Sequence, residues 1–197
     1  MKLARTITHD AKLVRVRALL DEFLAPVRAL GDKFGCLLVQ LPPKLELDPG
    51  VARRFFAALE SRDVPAVALE PRHPSWFSPE ADAFLARHGV VRVAADPPRA
   101  EGGDAPGGDR RFSYWRLHGT PRMYYSAYDE DFLARLAQRM RQDARPGWCI
   151  FDNTAGNAAV PNALALMERL ESPDETQAAA LRPRLSRGAR QLPLAGR

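Results

Sequence analysis

The densest chemistry in this chain lies in the run Glu70-Pro71-Arg72-His73-Pro74-Ser75-Trp76. It places a carboxylate, a guanidinium and an imidazole almost side by side, a set suited to acid–base catalysis or anion binding. His73 can serve as a general base or a metal ligand. Ser75 can equally cap a following helix, and Trp76 can be a lid or a core anchor. A second group is Arg116, His118 and Gly119, where the glycine permits close approach of a ligand. A third is Asp152-Asn153-Thr154-Ala155-Gly156-Asn157. Its small residues can leave backbone N–H groups free at a helix start, a site for an anion such as phosphate; capping by Asp152, Asn153 or Thr154 is the plain alternative. Residues 120–128 add Arg122, Tyr124, Tyr125 and Tyr128, suited to stacking on a sugar or a base or to ordinary loop packing.

Six short apolar runs must position these groups: about 1–4, 36–41, 66–70, 90–95, 113–118 and 148–153. Helical three- and four-residue spacings lie between most of them, as in Leu13, Val16, Leu20, Phe23, Val27 and Leu30. The others run through Val51, Phe55, Ala58 and Leu59; Ala81, Phe84 and Leu85; Phe132, Leu133, Leu136 and Met140; and Val160, Ala163, Leu164, Met167 and Leu170. Such alternation predicts an α/β fold with parallel strands and crossover helices. The Pro/Gly-rich stretch 97–111 replaces one crossover helix by a loop. No Gly-x-Gly-x-x-Gly turn supports a dinucleotide-binding sheet. Polar residues after most strands instead suit a TIM (β/α)₈-type barrel, whose sites lie at the carboxyl ends of its strands. Six units are two short of eight, so the barrel is expected to be incomplete, a truncated or mis-started chain of strands three to eight spanning 1–172. Period-two alternation then sends Gln40, Glu70, Asp96, Arg116 and His118 to the mouth, with Arg72 and Arg92 near enough to pair with the carboxylates. A salt-bridge network plugging the barrel is the competing reading of the same residues.

Composition narrows the classes. The net charge is +5, of which residues 173–197, with five arginines against Asp174 and Glu175, supply +3. That tail lacks periodicity and is expected to be a disordered basic segment, so the nucleic-acid expectation rises only slightly for the body. Cys36 and Cys149 sit in apolar runs without ligand or disulfide spacing, as in a reduced cytoplasmic protein. No apolar stretch approaches the roughly 20 residues of a membrane span, and the N-terminus shows no secretory signal pattern. A metal held by Glu70, Asp96, His118 and Asp152 has no short ligand motif behind it, and there is no Gly-x-Ser-x-Gly nucleophile elbow. The cofactor is left unknown by these residues.

Several segments, in order, carry a resemblance: the opening K-L-A-R-T-I-T-H, G-x-L-L-V-Q-L-P-P at 35–43, A-L-E-P-R-H-P-S-W at 68–76, Y-W-R-L-H-G at 114–119, and F-D-N-T-A-x-N-A-A-x-x-N-A at 151–163. Across roughly residues 1–170 the chain resembles the YecE-like barrels, domain of unknown function 72. The resemblance implies a TIM-type barrel without an assigned reaction, and Met1 aligned within the third strand. It fits Glu70, Arg72, His73, Trp76, Arg116, His118, Asp152 and Asn153 as pocket residues. The expected function is binding of a small polar ligand, phosphorylated or sugar-like, with His118 or His73 as acid–base group and Glu70 and Asp96 orienting it. Gln40, Arg72, Trp76, Arg116, Arg122, Tyr125, Asp152 and Asn153 would line the site. A nucleic-acid-binding or phosphodiester-cleaving barrel and a non-catalytic fragment are the alternatives.

Overall fold

The computed structural model describes residues 1–171, so the tail expected at 173–197 lies outside the described residues. The chain alternates strand and helix: α1 (Arg17–Val27), β1 (Leu37–Gln40), α2 (Pro49–Glu60), β2 (Val67–Glu70), α3 (Pro79–Arg87), β3 (Val90–Arg92), β4 (Ala94–Asp96), β5 (Gly107–Gly108), β6 (Ser113–Leu117), α4 (Glu130–Asp143), β7 (Gly147–Phe151) and α5 (Ala159–Glu171). Helix starts follow from local chemistry. Asp48 accepts hydrogen bonds from the Gly50 and Val51 amides ahead of Pro49, Ser78 from Ala81, and Asp129 from Phe132. The cap after the Glu70 segment is therefore Ser78 rather than Ser75. The helix expected through Leu13, Val16 and Leu20 begins only at Arg17. Lys12, Leu13 and Arg15 have positive φ, and Leu13 and Val16 reach the core from turns.

All but one of the ladders are parallel, β1 with β2, β2 with β3, β4 with β6 and β6 with β7, and Lys2 bridges Leu38 at the start. The strands form two sheets, ordered β1-β2-β3-β5 and β4-β6-β7. The break has a local cause. The 97–111 loop contains no helix and folds β5 back antiparallel onto β3, occupying the edge that β6 would otherwise share, and β6 pairs only from Ala94 onward. Only glycine fits at Gly108, where φ is +69° and a Cβ would lie 2.4 Å from the Val90 carbonyl oxygen; a Cβ on Gly107 would have to displace the ends of the Arg92 and Asp82 side chains, 2.4 Å away. The fold is thus mixed α/β with parallel sheets, and no closed barrel is formed among the described residues. No helix among them is long and apolar enough to cross a membrane.

Both faces of the sheets are apolar over most of their height. Leu37, Val39, Leu41, Val67, Leu69 and Val90 pack under α1 and α2, and Ala94, Trp115 and Leu117 under α4 and α5. On the opposite face Cys36, Leu38, Ala68, Val91, Val93, Phe112 and Tyr114 form their own cluster. This corrects the expected phase of the 90–96 strand. Val91 and Val93 take the inner positions because the lower layers there are apolar. Arg92 points to the helix side, neutralised by Asp82 of α3 at 2.7 Å and hydrogen-bonded to the Gly102 and Ala105 carbonyls.

A second correction concerns α5. Val160, Leu164 and Met167, expected in the core, are more than half exposed, and the helix packs through Ala159, Asn162 and Leu166. The apolar stripe looks past β7, the last strand of the described residues, whose Trp148 and Ile150 are also 38% exposed. The three-to-four spacing fits two neighbouring stripes of this helix, and packing against β7 and α4 selects the one carrying Leu166. Leu166→Ala should therefore cost about 2–5 kcal/mol in urea unfolding, whereas Leu164→Ser should stay within about 0.5 kcal/mol. Equal losses would mean that Leu164 is covered in solution.

Candidate functional site

Register brings four strand ends to one level. Gln40 of β1 lies beside Glu70 of β2, and Leu117 of β6 lies beside Phe151 of β7, so His118 and Asp152 follow one residue beyond. Alternation turns Gln40, Glu70, Arg116, His118 and Asp152 toward one another on the face away from the helices. Glu70, the most central, is 3% exposed. Its Oε2 accepts from Arg116 Nη1 at 2.5 Å, and its Oε1 from Gln40 Nε2 at 3.0 Å. His118 Nε2 stands 3.3 Å from the same Oε1, and Arg72 Nη2 3.7 Å from it. Asp152 Oδ2 meets Arg116 Nη2 at 2.5 Å and His118 Nδ1 at 3.1 Å.

This geometry decides the protonation of His118. Both ring nitrogens face carboxylate oxygens, and only a doubly protonated imidazolium can donate to both. Burial pushes the imidazole toward neutrality, but the hydrogen bonds to Asp152 and Glu70 outweigh it and raise its pKa above the ordinary 6.5. Burial likewise penalises Glu70's charge, yet the His118 hydrogen bond and the Arg116 charge prevail and hold the carboxyl down at about 2. Asp152 is lowered first by its hydrogen bond from His118, against the opposing effect of burial. Three cations, Arg72, Arg116 and His118, thus face two carboxylates. Arg72 Nε and Arg116 Nε are buried without a hydrogen-bond partner, a state that normally calls for an acceptor. The cluster opens to solvent at Asp152, whose side chain is 34% exposed, and at Arg72, 15% exposed. With both His118 nitrogens engaged, the imidazolium can pass a proton to a ligand only where Asp152 gives way.

The other expected residues are distributed differently. Asp96 is not in the cluster. It follows the outward phase of Arg92 and accepts from the Tyr128 hydroxyl at 2.7 Å and the Thr120 hydroxyl at 2.8 Å. His73 caps a short turn, accepting from the Ser75 amide, with Nε2 3.7 Å from Glu46. Trp76 is 1% exposed on the helix side, its indole N–H on the Leu45 carbonyl, which makes it a core anchor. Arg122 lies 4.0 Å over the Tyr125 ring on the exposed loop after β6. Asn153 is fully buried; its amide donates to the Ser126 carbonyl and to Asn162 Oδ1, and its Oδ1 has no partner. Neither Asp152 nor Asn153 caps α5: the Asp152 carboxylate is held by Arg116 and His118, and Asn153 is turned to the Ser126 carbonyl and Asn162. Asn162 escaped the sequence reading: it grips both backbone groups of Tyr128 at 3.0 and 2.9 Å. An amide at the innermost position of an apolar helix was the available signal. Among the described residues no three His, Cys, Asp or Glu side chains are grouped to hold a metal ion.

Stability should follow pH through these groups. Glu70 favours folding above its ordinary 4.5, and that contribution drains as pH falls from there toward about 2. The His118 contribution is complete below 6.5 and is lost as pH rises through its raised folded value. Glu70→Gln should cost about 3–5 kcal/mol by leaving buried cations unpaired and should move the NMR titration midpoint of His118 downward. An unmoved midpoint would sink the imidazolium assignment.

The family model described as protein of unknown function DUF72 matches residues 1–187. A search for curated relatives finds no match. A DUF72 family protein from Thermotoga maritima superposes with a TM-score of 0.71 at 21% identity, over 87% of this chain and 72% of that one. One from Enterococcus faecalis gives a TM-score of 0.69 at 20% identity, over 88% of this chain and 78% of that one. At such identity the likeness is one of fold. With the family model spanning nearly its whole length, this chain belongs to the DUF72 family.

Proposed function

We propose that the parallel arc is part of a TIM-type (β/α)₈ barrel and that the protein binds a small anionic ligand where its strands end. Neighbouring parallel strands joined through helices support the barrel, and the site lies at the carboxyl ends, where barrels carry theirs. The observation that carries the ligand reading is the excess of cations in a buried cluster whose two guanidinium Nε–H groups lack acceptors. An anionic oxygen supplies both the missing charge and the missing acceptor. His118 is then the acid–base group, its Nδ1 proton facing the more exposed carboxylate, and Glu70 orients it. The free cysteines suit a reducing compartment, and we place the protein in the cytoplasm.

Inorganic phosphate is the simplest probe. Isothermal titration should show binding that weakens at least tenfold in Arg72→Gln, with the melting temperature of that variant little changed, and that weakens as pH rises through the His118 titration. No heat at tens of millimolar phosphate, or equal affinity in the variant, would overturn the reading. A second reading draws on the exposed Arg122–Tyr125 stack: single-stranded nucleic acid held on the loop. It requires oligonucleotide affinity that falls steeply with salt, and a flat response removes it.

A further inference from the structure

The loop after β6 is built as a fixed wall beside the charged cluster. Gly119 (φ +92°) starts it, and a Cβ there would lie 2.9 Å from the Ser126 carbonyl oxygen. The Ser126 hydroxyl accepts from the Arg122 amide at 2.9 Å, and the Ser126 carbonyl accepts from Asn153 Nδ2 at 3.0 Å. Tyr124 is clamped from both sides. Its amide donates to the His118 carbonyl at 2.5 Å, and its carbonyl accepts from the Ala155 amide at 3.0 Å. These bonds hold it at φ +69°, a conformation that tyrosine adopts rarely and at a cost. Gly156 lets the β7–α5 segment approach this loop, since a Cβ there would lie 2.8 Å from the Tyr125 carbonyl oxygen.

The strain places one ring. Tyr124 stands edge-on to the His118 imidazole, with centroids 5.9 Å apart and planes at 86°, and remains 40% exposed. A ring in contact with a buried imidazolium and still partly exposed leaves some of its surface free for a ligand. Beside the same imidazolium stands a group that pairs with hydroxyls, the part-exposed Asp152 carboxylate, and the loop that carries Tyr124 also carries Arg122, stacked on Tyr125. Flat apolar surface beside hydroxyl partners suits a sugar ring, whose C–H faces lie on aromatics while its hydroxyls bond at the edge.

We propose that the anion bound at the Arg72 and Arg116 Nε–H groups, beside the His118 imidazolium, is the phosphate of a phosphorylated sugar, whose ring lies against Tyr124. The proposal rests on the anion-binding reading above and adds the body of the ligand. Tyr124 is the specificity residue, and its strained backbone fixes the distance between ring wall and charge cluster.

Four probes test it on the full chain by titration calorimetry: inorganic phosphate, glycerol 3-phosphate, glucose 6-phosphate and AMP. Wild type should bind glucose 6-phosphate about tenfold more tightly than glycerol 3-phosphate, which has no ring. Tyr124→Asn, a residue that tolerates the left-handed conformation, should erase that tenfold difference while phosphate, which makes no use of the ring, keeps its affinity. Tyr124→Phe should retain the difference. Equal binding of the two phosphate esters by wild type, or a difference that survives Tyr124→Asn, refutes the ring contact and leaves the anion site standing. AMP binding tenfold more tightly than glucose 6-phosphate assigns the wall to a base and refutes the sugar. Failure of all four probes removes the anion reading and this proposal together.

Discussion

A carboxylate removed from water stays charged only if cations and donors replace its hydration, and Glu70 imposes that requirement on this fold. Its partners come from β1, β6 and the turn after β2, and through Arg116 and His118 the requirement reaches Asp152 at the end of β7. Strands from both sheets are therefore tied at one level by a single buried charge. The tie sits where β6 and β7 are already in register, so little further ordering is needed to bring Arg116, His118 and Asp152 together.

Arg92 shows that a buried cation need not mark a site. It is 4% exposed, yet Asp82 takes two of its nitrogens and two carbonyls a third, so every polar group is answered within the structure. The cluster around Glu70 differs in its remainder. Two guanidinium N–H groups are unanswered, and the positive charge exceeds the negative. A purely structural network gains nothing from such a remainder, since each unpaired buried group costs about 1–3 kcal/mol. That contrast, more than burial, is what favours the proposed ligand site over a salt-bridge plug.

Much of this was legible in the sequence wherever period two and chemistry agreed. Gln40, Glu70, Arg116 and His118 alternate with apolar neighbours, and the expected grouping and the observed one coincide at those positions. The 90–96 strand defeated the same rule. It offers valine on one phase and charge on the other, and an apolar inner layer together with Asp82 on α3 reversed the assignment. Asp96 left the candidate site with that reversal. Helix α5 defeated period 3.6 for a related reason, because Asn162 occupies an inner position that hydrophobicity alone would give to Leu164. Partners distant in sequence decided both cases, as Asp82 did for Arg92 and the Tyr128 backbone did for Asn162.

Those distant partners also explain how the loop after β6 joins the site. Asn162 holds Tyr128 and Asn153, Asn153 holds Ser126, and the Tyr128 hydroxyl accepts from the Gly119 amide while donating to Asp96. Asp96 therefore acts on the site at one remove, fixing the backbone immediately after His118. A carboxylate expected at the mouth as a reacting group is used instead to set the loop that walls it. The chain thus divides its acids between two tasks. Glu70 and Asp152 set the charge of His118, and Asp96 sets the loop that carries Tyr124 against it.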